Sequence, residues 1–234
     1  MNAQAIADAR ARIIVALDLS TRPAALELAR ALSPHLGLFK VGLQLFIAAG
    51  PDIVHALRDL GARVFLDLKL HDIPNTVGRA VESASSLGAE MLTIHLSGGR
   101  GMIEAAVQAA PAELLLLGVT VLTSSDDATL RETGVMSQVE EQVLRLADIG
   151  VENGVRGIVA SPRELAALRR AHGDRIEIVT PGIRPSGSAP NDQKRALTPA
   201  EALRAGADYL VIGRPITAAA DPRAALEKIV ADVV

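Results

Sequence analysis

The sequence predicts a (β/α)8 TIM barrel, and three observations carry the prediction. Short runs rich in Leu, Ile and Val alternate with amphipathic helical stretches along the whole 234-residue chain. Eight such runs occur, each followed by a helical pattern, which matches a closed parallel barrel better than an open doubly wound sheet. No linker, repeat array or low-complexity segment divides the chain, so residues 1–234 read as one domain, of a length common among single-domain α/β barrels.

The expected strands are 13–18 (IIVALD), 38–42 (LFKVG), 63–69 (RVFLDLK), 91–96 (MLTIHL), 114–120 (LLLLGVT), 157–160 (GIVA), 176–180 (IEIVT) and 208–213 (DYLVIG). Helical patterns lie between them, among others at 23–32, 73–88, 101–110, 138–154 and 161–173. Pro23, Pro74, Pro162 and Pro199 stand near expected helix starts, where a missing N–H costs nothing. The exception to this rhythm is GIRPSGSAPNDQKRALTP at 182–199, a polar stretch without periodicity after the seventh strand. It exceeds the usual βα-loop length, and its position at the C-terminal face of the barrel favours an active-site lid over a disordered insertion.

Composition narrows the function. A formal charge of −3 and only four aromatic residues (Phe39, Phe46, Phe65, Tyr209) argue against nucleic-acid binding. The longest apolar run, residues 114–122, is too short to cross a membrane, and the N-terminal MNAQAIADARAR carries no export pattern. The absence of cysteine excludes disulfides, thiol nucleophiles and thiolate metal sites, and fits a cytoplasmic enzyme. Of 24 basic residues only Lys40, Lys69, Lys194 and Lys228 are lysines, so a lysine at a strand end suggests a need for a compact ammonium with a tunable pKa.

The third strand continues into FLDLKLHDIPNT at 65–76. Residues two apart share a strand face, so Phe65, Asp67 and Lys69 point one way and Leu66, Leu68 and Leu70 the other. The leucines belong to the helix layer, which puts Asp67 and Lys69 at the barrel axis, at the strand end where barrel enzymes hold catalytic groups. A structural salt bridge plugging the barrel is the bland alternative, but buried ion pairs seldom improve on packed apolar residues. Asp18, Lys40, His95, Thr123 and Ser124 occupy comparable strand ends. Asp18, Lys40, Asp67 and Lys69 would form a cross-strand array of alternating sign, an arrangement that favours the charged forms. An ammonium held there suits a general acid that also stabilises developing negative charge. His95 reads equally well as a strand cap.

The last two strands run into TPGIRP (180–185) and GRPI (213–216), each pairing a glycine with an arginine. Loops after strands seven and eight often bind phosphate in barrel enzymes, and the Arg184 and Arg214 forks suit its oxygens. The substrate expected on these grounds is a small phosphorylated molecule.

Together, VALD, DLKLHDIPNT, TPGIRP, DQKR and GADYLVIGRPI resemble the orotidine 5′-phosphate decarboxylase family of the bacterial type, over about Ile13 to Ile216. D-x-K-x-x-D alone also marks sugar-phosphate decarboxylases and aldolases; the extended set is far more specific. The resemblance implies conversion of orotidine 5′-monophosphate to uridine 5′-monophosphate and CO2 in UMP biosynthesis, without cofactor or metal. It implies a catalytic set of Lys69, Asp67, Asp72 and Lys40, with Lys69 as proton donor to C6 and Asp67 beside the substrate carboxylate. Lys40 and Asp18 would contact the ribose and Thr123 the pyrimidine. Arg184, Gly213 and Arg214 would hold phosphate, with Gln193 linking phosphate and base from the lid. Asp72 and Thr76 would reach across a homodimer interface into the neighbouring site.

Two other readings compete. A metal-dependent relative, such as a keto-gulonate phosphate decarboxylase or a hexulose phosphate synthase, carries an acidic Mg²⁺ ligand at the end of the second strand, where this chain has Lys40. Asp67, His71 and Asp72 could supply metal ligands, but Lys69 between them opposes a divalent ion. A non-catalytic nucleotide-phosphate binder would need the arginines and lid but not the four charges.

Overall fold

The computed structural model describes residues 3–185 and 197–234. Eight parallel strands close a barrel in chain order: β1 (Ile13–Ala16), β2 (Leu38–Gly42), β3 (Arg63–Leu70), β4 (Met91–His95), β5 (Leu115–Val119), β6 (Gly157–Val159), β7 (Glu177–Pro181) and β8 (Tyr209–Ile212). The ring shuts where Ile13 and Val15 of β1 pair with Leu210 and Ile212 of β8. All eight lie within the expected runs or within one residue of them, because short segments dominated by Leu, Ile and Val suit a sheet covered on both faces.

Helices α1 (Ala3–Ala11), α2 (Arg22–Leu32), α3 (Leu43–Ala49), α4 (Asp52–Asp59), α5 (Pro74–Ser86) and α6 (Gly99–Ala109) accompany the first half. The second half carries α7 (Asp127–Glu132), α8 (Val139–Glu152), α9 (Leu165–His172), α10 (Pro199–Arg204), α11 (Arg214–Thr217) and α12 (Pro222–Val233). Helices α2, α5, α6, α8 and α9 fall where periodicity predicts them. In α2 the Thr21 side chain accepts from Ala24 N, Pro23 sits in the first turn, and Ala25, Leu26, Ala29 and Leu32 form the buried stripe. Pro74 and Pro199 likewise open α5 and α10. Pro162 instead lies in the turn before α9, which begins at Leu165.

Two apolar layers result. The larger packs helices on the outer strand faces, with Val15, Phe39, Leu66, Ile94 and Ile158 among its members. The smaller fills the barrel: Ile14, Ala16, Leu38, Phe65, Met91, Leu117, Val179 and Val211, with Val159 packed beside them. Phe65, 1% exposed, anchors this plug, and truncating such a ring to alanine typically costs about 3–5 kcal/mol.

Candidate active site

The candidate functional residues continue the inward faces of this plug. Alternation carries the inner face of β1 from Ile14 and Ala16 to Asp18, that of β2 from Leu38 to Lys40, and that of β3 from Phe65 to Asp67. Side chains that are apolar deep in the barrel thus give way to charges at its C-terminal mouth. They join in one row: Lys40 Nζ stands 3.0 Å from Asp18 Oδ1 and 3.4 Å from Asp67 Oδ2, and Lys69 Nζ lies 2.7 Å from Asp67 Oδ1. The Lys40 side chain is only 10% exposed, so flanking carboxylates are what make its burial tolerable.

Lys69 reaches the mouth by a route that strict alternation does not predict. Pairing of β3 with β4 steps from Leu66↔Leu92 to Leu70↔Ile94, so Asp67, Leu68 and Lys69 face Thr93 alone. The excess is accommodated at Lys69, which adopts φ 52° and is the one non-glycine residue with positive φ among the described residues. A left-handed conformation costs a non-glycine residue about 1–2 kcal/mol. Thr93 Oγ1 accepts the Lys69 backbone N–H at 2.8 Å and donates to Asp67 Oδ1 at 3.1 Å. Lys69 and Asp67 do face the cavity together, as expected, but through a bulge rather than a regular pleat.

Burial alone would push the Asp67 carboxyl up. The charges of Lys40 and Lys69, with hydrogen bonds from Lys69 and Thr93, outweigh it and hold the group below its usual value. His95, half-buried at the end of β4, is held below the ordinary imidazole range by burial, then by His71 and Lys69, with Asp67 opposing. Its ring centroid lies 5.5 Å from that of His71.

The row forms one side of a cavity of about 300 Å³, at the small end for ligand sites. The other side is apolar, built from Val119, Val121, Leu122, Val159, Pro181 and Ile183, and its rim carries Thr123, Arg184, Gly213 and Arg214. The Arg184 backbone N–H donates to Leu197 O at 3.0 Å, tying together the two described ends of the polar stretch. Beyond Leu197, Thr198 and Glu201 form a capping box that starts α10.

The structure therefore gathers Asp18, Lys40, Asp67, Lys69, Thr123, Arg184, Gly213 and Arg214 around one cavity. Asp72 and Thr76 do not line it: both are exposed at the start of α5, where Asp72 Oδ1 accepts the Ile73 N–H at 2.6 Å. Gln193, with most of the expected lid, lies outside the described residues. Two contributors escaped the sequence reading. One is Thr93, whose only signal was a polar residue at an inward position between Met91 and His95. The other is Gly42, where a Cβ would stand 2.9 Å from Lys40 Nζ and 3.1 Å from Asp18 Oδ1. Among the described residues no cluster of three or more His, Cys, Asp or Glu side chains is placed to hold a metal ion.

Such a mouth, with fixed alternating charges on one side and apolar surface rimmed by arginines on the other, defines a class: barrel enzymes acting on small phosphorylated substrates. The chain belongs to the Orotidine 5'-phosphate decarboxylase / HUMPS family, whose sequence model matches residues 11–229. It is 51% identical to an orotidine 5'-phosphate decarboxylase of Moorella thermoacetica, with 96% of this chain and 93% of that protein covered. An orotidine 5'-phosphate decarboxylase of Anaeromyxobacter sp. is 53% identical, covering 94% of this chain and 97% of its own. The crystal structure of orotidine 5'-phosphate decarboxylase from Lactobacillus acidophilus superposes with a TM-score of 0.84 at 39% identity, over 95% of this chain and 99% of that one.

Proposed function

We propose that this chain decarboxylates orotidine 5′-monophosphate to uridine 5′-monophosphate with Lys69 as the proton donor. The reaction agrees with the family and with relatives at about half identity along nearly the whole chain. The observation that carries the residue assignment is the unbroken row Asp18–Lys40–Asp67–Lys69 on the cavity wall.

When the C6–carboxylate bond breaks, its electron pair stays on C6 in an orbital the ring π-system does not delocalise. Electrostatics must then stabilise it. The Lys69 ammonium, fixed by Asp67, offers its charge most fully once the carbanion develops, as differential transition-state binding requires. An N–H proton of Lys69 passes to C6 and completes UMP. Asp67 sits near the substrate carboxylate, and the repulsion between them disappears as neutral CO2 leaves. Arg184, Arg214 and Gly213 take the phosphate, Thr123 the base, and Asp18 with Lys40 the ribose; Gln193 belongs to the closing segment.

Asp72 and Thr76 serve the partner's site in a homodimer. Their exposure, and that of Ile73 between them at 66%, supports an interface there. The whole chain acts as one cytoplasmic domain.

The first test follows ultraviolet absorbance of orotidylate mixed with purified protein, before and after chelator treatment. Turnover unaffected by chelation is expected; a spectrum that never changes overturns the activity, and loss on chelation restores the metal-dependent reading. For the dimer, Lys69→Ala and Asp72→Ala subunits are mixed. Each is inactive alone, and mixed dimers regain activity because one of their two sites is intact. Failure to complement removes the shared-site assignment.

A further inference from the structure

We propose that Thr93 is a positioning residue for the decarboxylation, holding Lys69 and Asp67 in register through a single hydroxyl. The proposal rests on the reading of Lys69 as proton donor.

Its basis is the mismatch between two neighbouring strands. Between the pairs Leu66↔Leu92 and Leu70↔Ile94, β3 spends three residues and β4 only one, Thr93. A break of that size would leave the Lys69 N–H without a ladder partner, and Thr93 Oγ1 accepts it at 2.8 Å. The acceptance fixes Lys69 at φ 52°, a conformation a lysine does not otherwise favour. That backbone rotation decides where the side chain leaves the strand.

The hydroxyl proton is committed as well. It is donated at 3.1 Å to Asp67 Oδ1, the oxygen that also takes Lys69 Nζ at 2.7 Å. A hydroxyl has one proton to give, so these contacts occupy Thr93's only donor and one of its acceptor sites. Thr93 is 0% exposed and does not line the cavity; it acts through Asp67 and Lys69 rather than on substrate. Its inward position follows from alternation with Met91 of the barrel plug and His95 at the mouth. A valine would fill the same volume and keep the strand propensity, but could neither accept the N–H nor donate to the carboxylate.

The test compares Thr93→Val, Thr93→Ser and Thr93→Cys with wild type in steady-state turnover of orotidylate, UMP binding and the pH profile of kcat. Thr93→Val should lose about 10- to 100-fold in kcat, the scale of a misplaced reacting group, while KM and UMP affinity move less than about threefold. Thr93→Ser should return kcat to within about threefold of wild type. The acid limb of kcat should move to higher pH in Thr93→Val, since Asp67 loses a donor that favours its charged form. A residue needed only for packing would lower thermal stability without moving that limb. Should the valine variant fail to fold, Thr93→Cys puts a single thiol, a weak donor and weak acceptor, where the hydroxyl stood and carries the same expectation of reduced kcat.

A valine or cysteine variant with wild-type kcat, or a serine variant as impaired as valine, overturns the proposal. Lys69→Ala run in parallel separates the two levels. If it keeps near-normal kcat, the proton-donor reading and this inference both fall. If it is inactive while Thr93→Val is not impaired, only the role of Thr93 falls.

Discussion

Strands β1–β4 and β5–β8 close the same barrel but finish differently at its mouth. On the first side the inward faces end in Asp18, Lys40, Asp67 and His95, with Lys69 swung in by the bulge; on the second they end in Val119, Val159, Pro181 and Gly213. The charged side is held by contacts internal to the protein: three ion pairs and the two hydrogen bonds of Thr93. The other side presents apolar surface with two arginines at its rim. On the proposed roles the difference separates two tasks. Groups that stabilise charge in a transition state must be oriented before the reaction, because reorganising them during it would cost rate. Groups that bind need shape and matching charge, and their energy can be used to close and desolvate the site.

The largest break in this comparison is Lys69→Ala. On the proposed roles it removes both the proton and the stabilising charge, so kcat should fall by about 10⁴-fold or more. UMP binding should stay measurable, since the opposite side is untouched. Near-normal kcat would show that the charged side does not carry the chemistry.

Next in size is the rim. Arg214→Ala should raise KM about 10- to 100-fold, the scale of a lost charge-assisted hydrogen bond to phosphate. The discriminating measurement is the same variant with orotidine, which lacks the phosphate: turnover of that substrate should barely change. An equal loss on both substrates would mean that Arg214 supports the fold of the mouth rather than phosphate.

Most of this contrast was legible in the sequence, for a physical reason. Period-two alternation places Asp67 above Phe65 and Lys40 above Leu38, and charges on such apolar strands are conspicuous. Twin Gly-Arg turns after β7 and β8 stand out in the same way. The bulge was not legible, because strand pairing depends on two segments far apart in the chain. RVFLDLKL shows no glycine or proline to announce the irregularity, and the left-handed turn falls on a lysine. Thr93 read as one more β-branched residue in MLTIH, with its partner set only by β3. Gly42 was hidden similarly: its need for a missing Cβ arises from Lys40 and Asp18, on two different segments.

Gly42→Ala probes that second hidden constraint and should act more gently. The added methyl meets the flexible end of Lys40 at 2.9 Å rather than backbone, so the ammonium can shift by a few tenths of an ångström. A fall in kcat of about 3- to 10-fold, with the fold intact, is expected from so small a displacement. Wild-type kinetics would show that the Lys40–Asp18 contact tolerates movement and that the charged side is less rigid than its distances suggest.

The smallest effect concerns the edge of the charged side, at His95. Its folded pKa lies below the unfolded value of about 6.5, through burial first and then the charges of His71 and Lys69, against the pull of Asp67. The unfolded chain therefore takes up this proton more readily than the folded one, and stability falls as protonation sets in. The contribution is fully present above about pH 6.5 and is lost as pH drops from there through the folded pKa. His95→Gln keeps a polar side chain of similar reach without the titration, so its melting temperature should decline less steeply than wild type between pH 7 and about pH 5. The other histidines are common to both proteins, so the difference between the two slopes reports His95 together with its coupling to His71. His71→Gln should reproduce part of the change, because His71 is one of the neighbours that depress His95. Parallel slopes in wild type and His95→Gln would place the pH sensitivity elsewhere and leave the boundary of the charged side at Lys69.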